Sequence, residues 1–186
     1  MEYKFNIRLL FISLFFILSY TVCGQNKYKA VDKTVSFGMR TVQNRNINSI
    51  IIHSVFNASG GDKYDIDLVI KQFSYYHVSS HYVIGRKGDI YQLVNEKNIS
   101  FHAGKSSLPD GRTGVNSCSI GIELITTNDS IDSPTEKQMQ ALTALVKDIK
   151  SRYKIKYVLR HSDIAPGRKT DPWNINWEAF LKRLED

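Results

Sequence analysis

The chain has 186 residues, of which 42% are hydrophobic, 23% charged and 11% aromatic, with a formal net charge of +7. These fractions exclude a disordered or collagen-like chain, and the length suits one domain with a real core rather than two. The positive charge suits an anionic partner, but the lysines and arginines form no clustered stripe interleaved with aromatics, so nothing selects nucleic acid.

Lys4 and Arg8 precede an apolar run from Leu9 to Leu18 broken only by Ser13, and Ser19, Tyr20 and Thr21 lower the hydrophobicity before Cys23-Gly24-Gln25. A basic start, a short apolar middle and a small-residue exit read as a secretory leader over residues 1–24, since a spanning helix needs about 20 apolar residues. Val22 and Gly24 suit the positions ahead of a cut that leaves Gln25 first in a domain of residues 25–186. The alternative is a lipid on Cys23, for which Val22 and Tyr20 are poor neighbours. The expected location is periplasmic or extracellular, without a membrane span, or membrane-anchored if Cys23 carries lipid. A mature chain starting at Gln25 keeps Cys118 alone, so no disulfide framework can form. Within the apolar run SCSIGIELI, Cys118 reads as a buried structural thiol rather than a nucleophile.

Ser49 to Ile52 is a β-branched run that reads as a buried strand ending at His53. After a Gly60-Gly61 break, Ile66, Val69, Ile70, Phe73 and Tyr76 repeat at helical spacing, with Asp62 or Asp65 as cap. Residues 81–84 and 90–94 flank Gly85-Arg86-Lys87-Gly88-Asp89 as a hairpin. Ile99 to Gly114 reads as loop and Cys118 to Ile125 as a second buried strand. Ser133-Pro134-Thr135-Glu136 suggests a capping box with a first-turn proline. Met139, Leu142, Leu145, Val146 and Ile149 continue that helix on one face. Tyr157 to Arg160 is a short strand delivering His161, and a terminal helix spans about 176–184. Strands interleaved with helices imply an α/β domain with a mixed central β-sheet flanked by helices.

Two histidines thus stand at strand ends, where rigid backbone best holds a ligand or base. Asp171 lies ten residues beyond His161, with Pro166 and Gly167 turning the chain back between them. His53, His161 and Asp171 would supply three zinc ligands and leave a fourth position free. From spacing alone, two capped histidines and a loop aspartate remain the alternative. His77 and His81 have helical metal-pair spacing, but a helix end falls between them, so His77 is expected to be structural or solvated.

The run His161-Ser162-Asp163-Ile164-Ala165-Pro166-Gly167-Arg168-Lys169-Thr170-Asp171-Pro172 resembles the zinc-ligand loop of the N-acetylmuramoyl-L-alanine amidase family, which includes the peptidoglycan-recognition proteins. Four further segments resemble the family in its order: IIIHS at 50–54, SSHYVI at 79–84, FHAG at 101–104 and SIGIE at 119–123. The resemblance covers roughly residues 48–177. It implies that family's single-domain fold, with His53, His161 and Asp171 binding Zn2+ and Glu123 acting as general base. Lys169 would oppose the charge on an oxyanion. His81 and His102 would line the cleft and touch substrate. Some members place a catalytic tyrosine where this chain has Ser80, which increases the weight on Glu123, while Tyr82 reads as core. Trp173 stands where glycine is common, so the cleft rim should differ. The implied activity is hydrolysis of the amide between N-acetylmuramic acid and L-alanine in peptidoglycan. The alternative is a peptidoglycan-binding module without catalysis. A monomer is the default expectation.

Overall fold

The computed structural model describes residues 28–185, so the leader expected over residues 1–24, Cys23 included, lies outside the described residues. In chain order the elements are β1 (Val31–Asp32), β2 (Met39–Arg40), β3 (Ser49–Val55), α1 (Ile66–Tyr75), β4 (Tyr82–Ile84), β5 (Ile90–Gln92), β6 (Ile99–Ser100), β7 (Ser119–Ile125), α2 (Glu136–Arg152), β8 (Tyr157–Arg160), the single-turn α3 (His161–Ile164) and α4 (Trp177–Arg183). One 3-10 turn, Val115–Cys118, leads into β7. Among the described residues no helix is long and apolar enough to cross a membrane.

Six strands form the main sheet in the order β1-β5-β4-β7-β3-β8. β3 runs parallel to both β7 and β8, and β7 parallel to β4, while the antiparallel β4–β5 hairpin makes the sheet mixed. β3 and β7 are buried at every position, as β-branched strands covered on both faces should be. The two-residue alternation sorts their side chains. Ile50, Ile52, Ile120, Ile122 and Leu124 pack against Leu142, Leu145, Val146 and Ile149 of α2 and Phe180 of α4. The opposite face has two separate covers. Val55, Val83 and Ile125 meet Val69 and Phe73 of α1, whereas Ile51 meets Ala103, Leu108, Val115 and Ile164. Between these covers the sheet surface is open to a cleft.

Several local readings shift. β3 continues through Val55 because β7 runs beside it as far as Ile125, so His53 sits inside the strand rather than after it. The segment expected as loop from Ile99 contributes β6, which pairs antiparallel with β2. Cys118 closes the 3-10 turn and is only half-buried, and the strand begins at Ser119. Asp65 rather than Asp62 caps α1, its Oδ1 accepting from the amides of Asp67 and Leu68 at 2.8 and 2.9 Å.

The capping box of α2 is Thr135 with Gln138, not Ser133 with Glu136. A tertiary requirement sets that register. Gln138 is fully buried, and its Nε2 donates to the carbonyls of Ile84 and Ile125 at 3.1 and 3.0 Å, while its Oε1 accepts from the Thr135 amide at 3.0 Å. Glu136 instead faces solvent and pairs with Arg183. Gln138→Ala would remove the Gln138 donor from both carbonyls, leaving Ile125 only a long contact of 3.5 Å from Arg86, so we expect a loss of about 2–4 kcal/mol, read as a lower urea midpoint at unchanged slope.

Candidate metal centre and active site

The registers of three parallel strands build the site. His53 of β3 lies opposite Glu123 of β7, and Ile52 lies opposite Arg160, the last residue of β8 before His161. Glu123, His53 and His161 therefore stand in a row across the sheet. Asp171 arrives from the loop after α3, which closes on itself where the Ser162 amide donates to the Asp171 carbonyl at 3.0 Å. Arg160 and Asp163 brace the start of that turn through paired guanidinium–carboxylate bonds.

His53, His161 and Asp171 are all buried, and one potential ligand atom from each lies within 4.8 Å of the others. Asp171 Oδ2 is 3.0 Å from His161 Nδ1 and 3.4 Å from His53 Nδ1. The far nitrogen of His161, Nε2, is 3.3 Å from the Ala103 carbonyl, which can only accept. With Nε2 donating to that carbonyl, His161 would present Nδ1 on the side of the carboxylate as a ligand atom. Nδ1 of both histidines and Oδ2 of the aspartate thus converge on one point, so the donor set fits a metal ion. Two imidazoles and one carboxylate are zinc-type ligands with room for a further one. Burial alone would raise the Asp171 pKa, but the flanking imidazoles of His161 and His53 hold it well below the usual carboxylate range. Burial also lowers His53, to about 4, against the pull of Asp171.

Glu123 faces the same cleft, buried and with its Oε2 unpartnered. Desolvation, reinforced by the negative charge of Asp171, raises its pKa well above the ordinary value, and Lys169 opposes that rise. The cleft holds about 350 Å³. Phe73 and Val78 form one wall, the segment from Phe101 to Gly104 the other, and Lys169 and Trp173 the rim. Trp173 is fixed there by its own amide, which donates to Ser54 Oγ at 3.2 Å, and by its indole N–H on Thr170 Oγ1 at 3.0 Å.

Of the three remaining histidines, His81 differs most from expectation. His81 does not line the cleft. It is fully buried, its Nδ1 accepts from the Gly121 amide at 3.0 Å, and its Nε2 meets the Asn98 carbonyl at 3.1 Å. Burial and then Arg45, whose guanidinium bonds the Asn98 and Ser119 carbonyls, push its pKa down to about 3. It is a pin between β7 and the chain ahead of β6. His102 does reach the cleft wall, but both its ring nitrogens are engaged inside the protein. His77 is exposed at the end of α1, in a left-handed backbone conformation with φ of 53°.

Two contributors escape a reading of the sequence. Asn116 Oδ1 accepts from the amides of His102 and Ala103 at 3.1 and 2.8 Å and so pins the cleft wall. Arg168 donates to the carbonyls of Ala103 and Lys105 at 2.8 and 2.7 Å, tying the ligand loop to the same wall. In sequence the first looks like a turn asparagine and the second like one more basic loop residue.

A mixed sheet that gathers two imidazoles, a carboxylate and a buried glutamate in one cleft has the make-up of a metal-dependent hydrolase domain. The chain belongs to the N-acetylmuramoyl-L-alanine amidase family, whose model matches residues 43–174. It is 40% identical over 136 residues to the N-acetylmuramoyl-L-alanine amidase AmiD of Escherichia coli K12, covering 64% of this chain and 49% of AmiD. It is likewise 40% identical over 112 residues to the 1,6-anhydro-N-acetylmuramyl-L-alanine amidase AmpD of the same organism, covering 59% of this chain and 60% of AmpD. The chain thus spans about half to three-fifths of these relatives. Among solved structures, an AmpD crystal structure superposes with a TM-score of 0.70 at 28% identity, over 85% of this chain and 97% of that one. Escherichia coli AmiD in complex with anhydro-N-acetylmuramic acid-L-Ala-D-gamma-Glu-L-Lys superposes with a TM-score of 0.62 at 34% identity, over 77% of this chain and 60% of that one.

Neutral buried imidazoles fix the acid limit of the fold. His53 and His81 have folded pKa values of about 4 and about 3, below the unfolded value near 6.5. Their contribution is complete above pH 6.5 and is lost as pH falls through the folded values. Each costs at most about 1.4 kcal/mol per pH unit within that window. We therefore expect the urea midpoint of the metal-free protein to fall between pH 6.5 and 4.5, with a shallower fall in His81→Gln.

Proposed function

We propose that this chain is a zinc-dependent N-acetylmuramoyl-L-alanine amidase that hydrolyses the amide between N-acetylmuramic acid and L-alanine in peptidoglycan fragments, and that it works after export. The observation that carries this reading is the unpartnered carboxylate oxygen of Glu123 in the cleft where His53, His161 and Asp171 converge. The substrate class rests on family membership and on the muropeptide named in the AmiD complex. The leader-like start of the sequence supports export.

His53, His161 and Asp171 would hold the zinc. When bound, zinc supplies a Lewis acid that polarises the amide carbonyl and makes water more acidic. Glu123 does the proton work. Its raised proton affinity suits it to take a proton from the attacking water and to return it to the departing alanine nitrogen as the C–N bond breaks. Lys169, at the cleft rim, counters negative charge developing on the carbonyl oxygen. The products are the free lactyl carboxylate of the sugar and a peptide with a free L-alanine amine. The apolar stretch from Phe73 and Val78 to Phe101 gives the sugar–peptide junction a wall on which to lie.

The test is incubation of the purified protein with an anhydro-muramyl-peptide, with products read by mass spectrometry. We expect free peptide beginning at L-alanine, abolished by a chelator and restored by zinc. Intact substrate at every zinc level, with affinity for peptidoglycan retained, would instead identify a binding module. Glu123→Gln should cut turnover by about 10²–10⁴-fold. The same change should stabilise the metal-free protein at neutral pH by about 1–3 kcal/mol, since it replaces an ionisable acid, whose charged form burial and Asp171 disfavour, with a neutral amide. An acid with a raised folded pKa is penalised only above its unfolded pKa near 4.5, so that gain should shrink as pH falls toward 4.5.

A further inference from the structure

Metal-binding histidines need their second nitrogen tied, because that bond decides which nitrogen is bare. For His161 the tie is the Ala103 carbonyl. His53 has a less obvious partner, since its Nε2 lies 3.0 Å from Nδ1 of another imidazole, His102. Either ring could donate to the other, so this contact alone fixes nothing.

The direction is set one step further back. Ser119 is fully buried, and its single hydroxyl proton goes to the Val115 carbonyl at 2.7 Å. Its oxygen also lies 3.1 Å from His102 Nε2. With its own proton committed, that oxygen can only accept, so His102 carries hydrogen on Nε2 and a lone pair on Nδ1. That lone pair makes His53 the donor through Nε2, leaving Nδ1 of His53 bare. Nδ1 is the atom facing Asp171.

We propose that Ser119 and His102 are positioning residues that lock His53 in its Nε2–H tautomer and present Nδ1 to the metal. The identity of that metal rests on the zinc reading above. The ring of His102 is held for this task from three sides. Asn116 pins its backbone amide at 3.1 Å, Ser119 takes Nε2, and Gly121 lies directly beneath, where an added Cβ would come within 2.5 Å of the ring. On β7, Ser119, Gly121 and Glu123 share one face, so alternate residues of a single strand anchor the relay, make room for it and supply the base.

The tautomers are read on the 15N-labelled, metal-free protein near pH 7.5 by two-bond 1H–15N correlation of the histidine rings. His53 and His102 should both show Nε2–H. Zinc affinity is then measured by competition with a chromophoric chelator. Ser119→Ala should weaken zinc about tenfold and mix the His102 tautomers. His102→Phe, which keeps a ring over Gly121 but offers no acceptor, should weaken zinc about 10–100-fold. His102→Asn, whose Oδ1 can occupy the position of Nδ1, should recover most of that loss. Urea unfolding of each metal-free variant confirms that it is folded. An Nδ1–H signal from His53 in the parent would overturn the assignment, as would folded Ser119→Ala and His102→Phe proteins that bind zinc within about twofold of the parent. A parent that takes up no zinc while showing both Nε2–H signals would sink the zinc reading and support the tautomer assignment.

Discussion

The parallel register of β7, β3 and β8 is the constraint on which everything else depends. Side chains alternate faces along a strand, so a slip of one residue in any pairing would send a site residue to the opposite side of the sheet. The pairings of His53 with Glu123 and of Ile52 with Arg160 put a base, one ligand and the entry to a second ligand at one level. Register itself is held by the other face. There Ile50, Ile52, Ile120, Ile122 and Leu124 are locked against α2 and α4 and cannot be exchanged for the polar set. The apolar layer against α2 and α4 thereby positions the site from the opposite side of the sheet.

Around that row the protein places polar groups where few would normally be tolerated. A buried carboxylate without a partner, two imidazoles and an aspartate are costly to desolvate. The surrounding segments limit the cost by leaving few loose ends. Ala103 receives both His161 and Arg168 on its carbonyl, and Asn116 takes two consecutive amides of the same wall. Glu123, which lines the cleft, is left with a buried oxygen, Oε2, that has no partner.

The sequence makes most of the frame legible because its signals are local. β-branched runs mark β3 and β7, helical periodicity marks α1 and α2, and the glycine turn marks the hairpin of β4 and β5. The three ligand candidates, brought together by the structure, were visible in the same way, as histidines at strand ends and an aspartate after a forced turn. What was not legible depended on contacts between distant segments. Whether His81 points into the cleft or pins Gly121 depends on a bond between β7 and the residue preceding β4, which no spacing rule encodes. The choice of Thr135 over Ser133 as cap depends on two strand carbonyls that need Gln138. Two-residue strands such as β2 and β6 are too short for alternation to show. Asn116 carries no periodic signal at all.

The chain order of the ligands has a consequence for how the centre comes into being. His53 lies in the first third of the sequence, whereas His161 and Asp171 lie close to its end, with more than half of the chain between. Closing that span is an entropic expense met only when β8 docks on β3. A partly synthesised chain can already hold the β4–β5 hairpin and the β3–β7 pairing, yet it offers a single imidazole where three donors are needed. The competent metal pocket is therefore among the last features to exist, and its formation reports that the whole sheet has been assembled in the correct order.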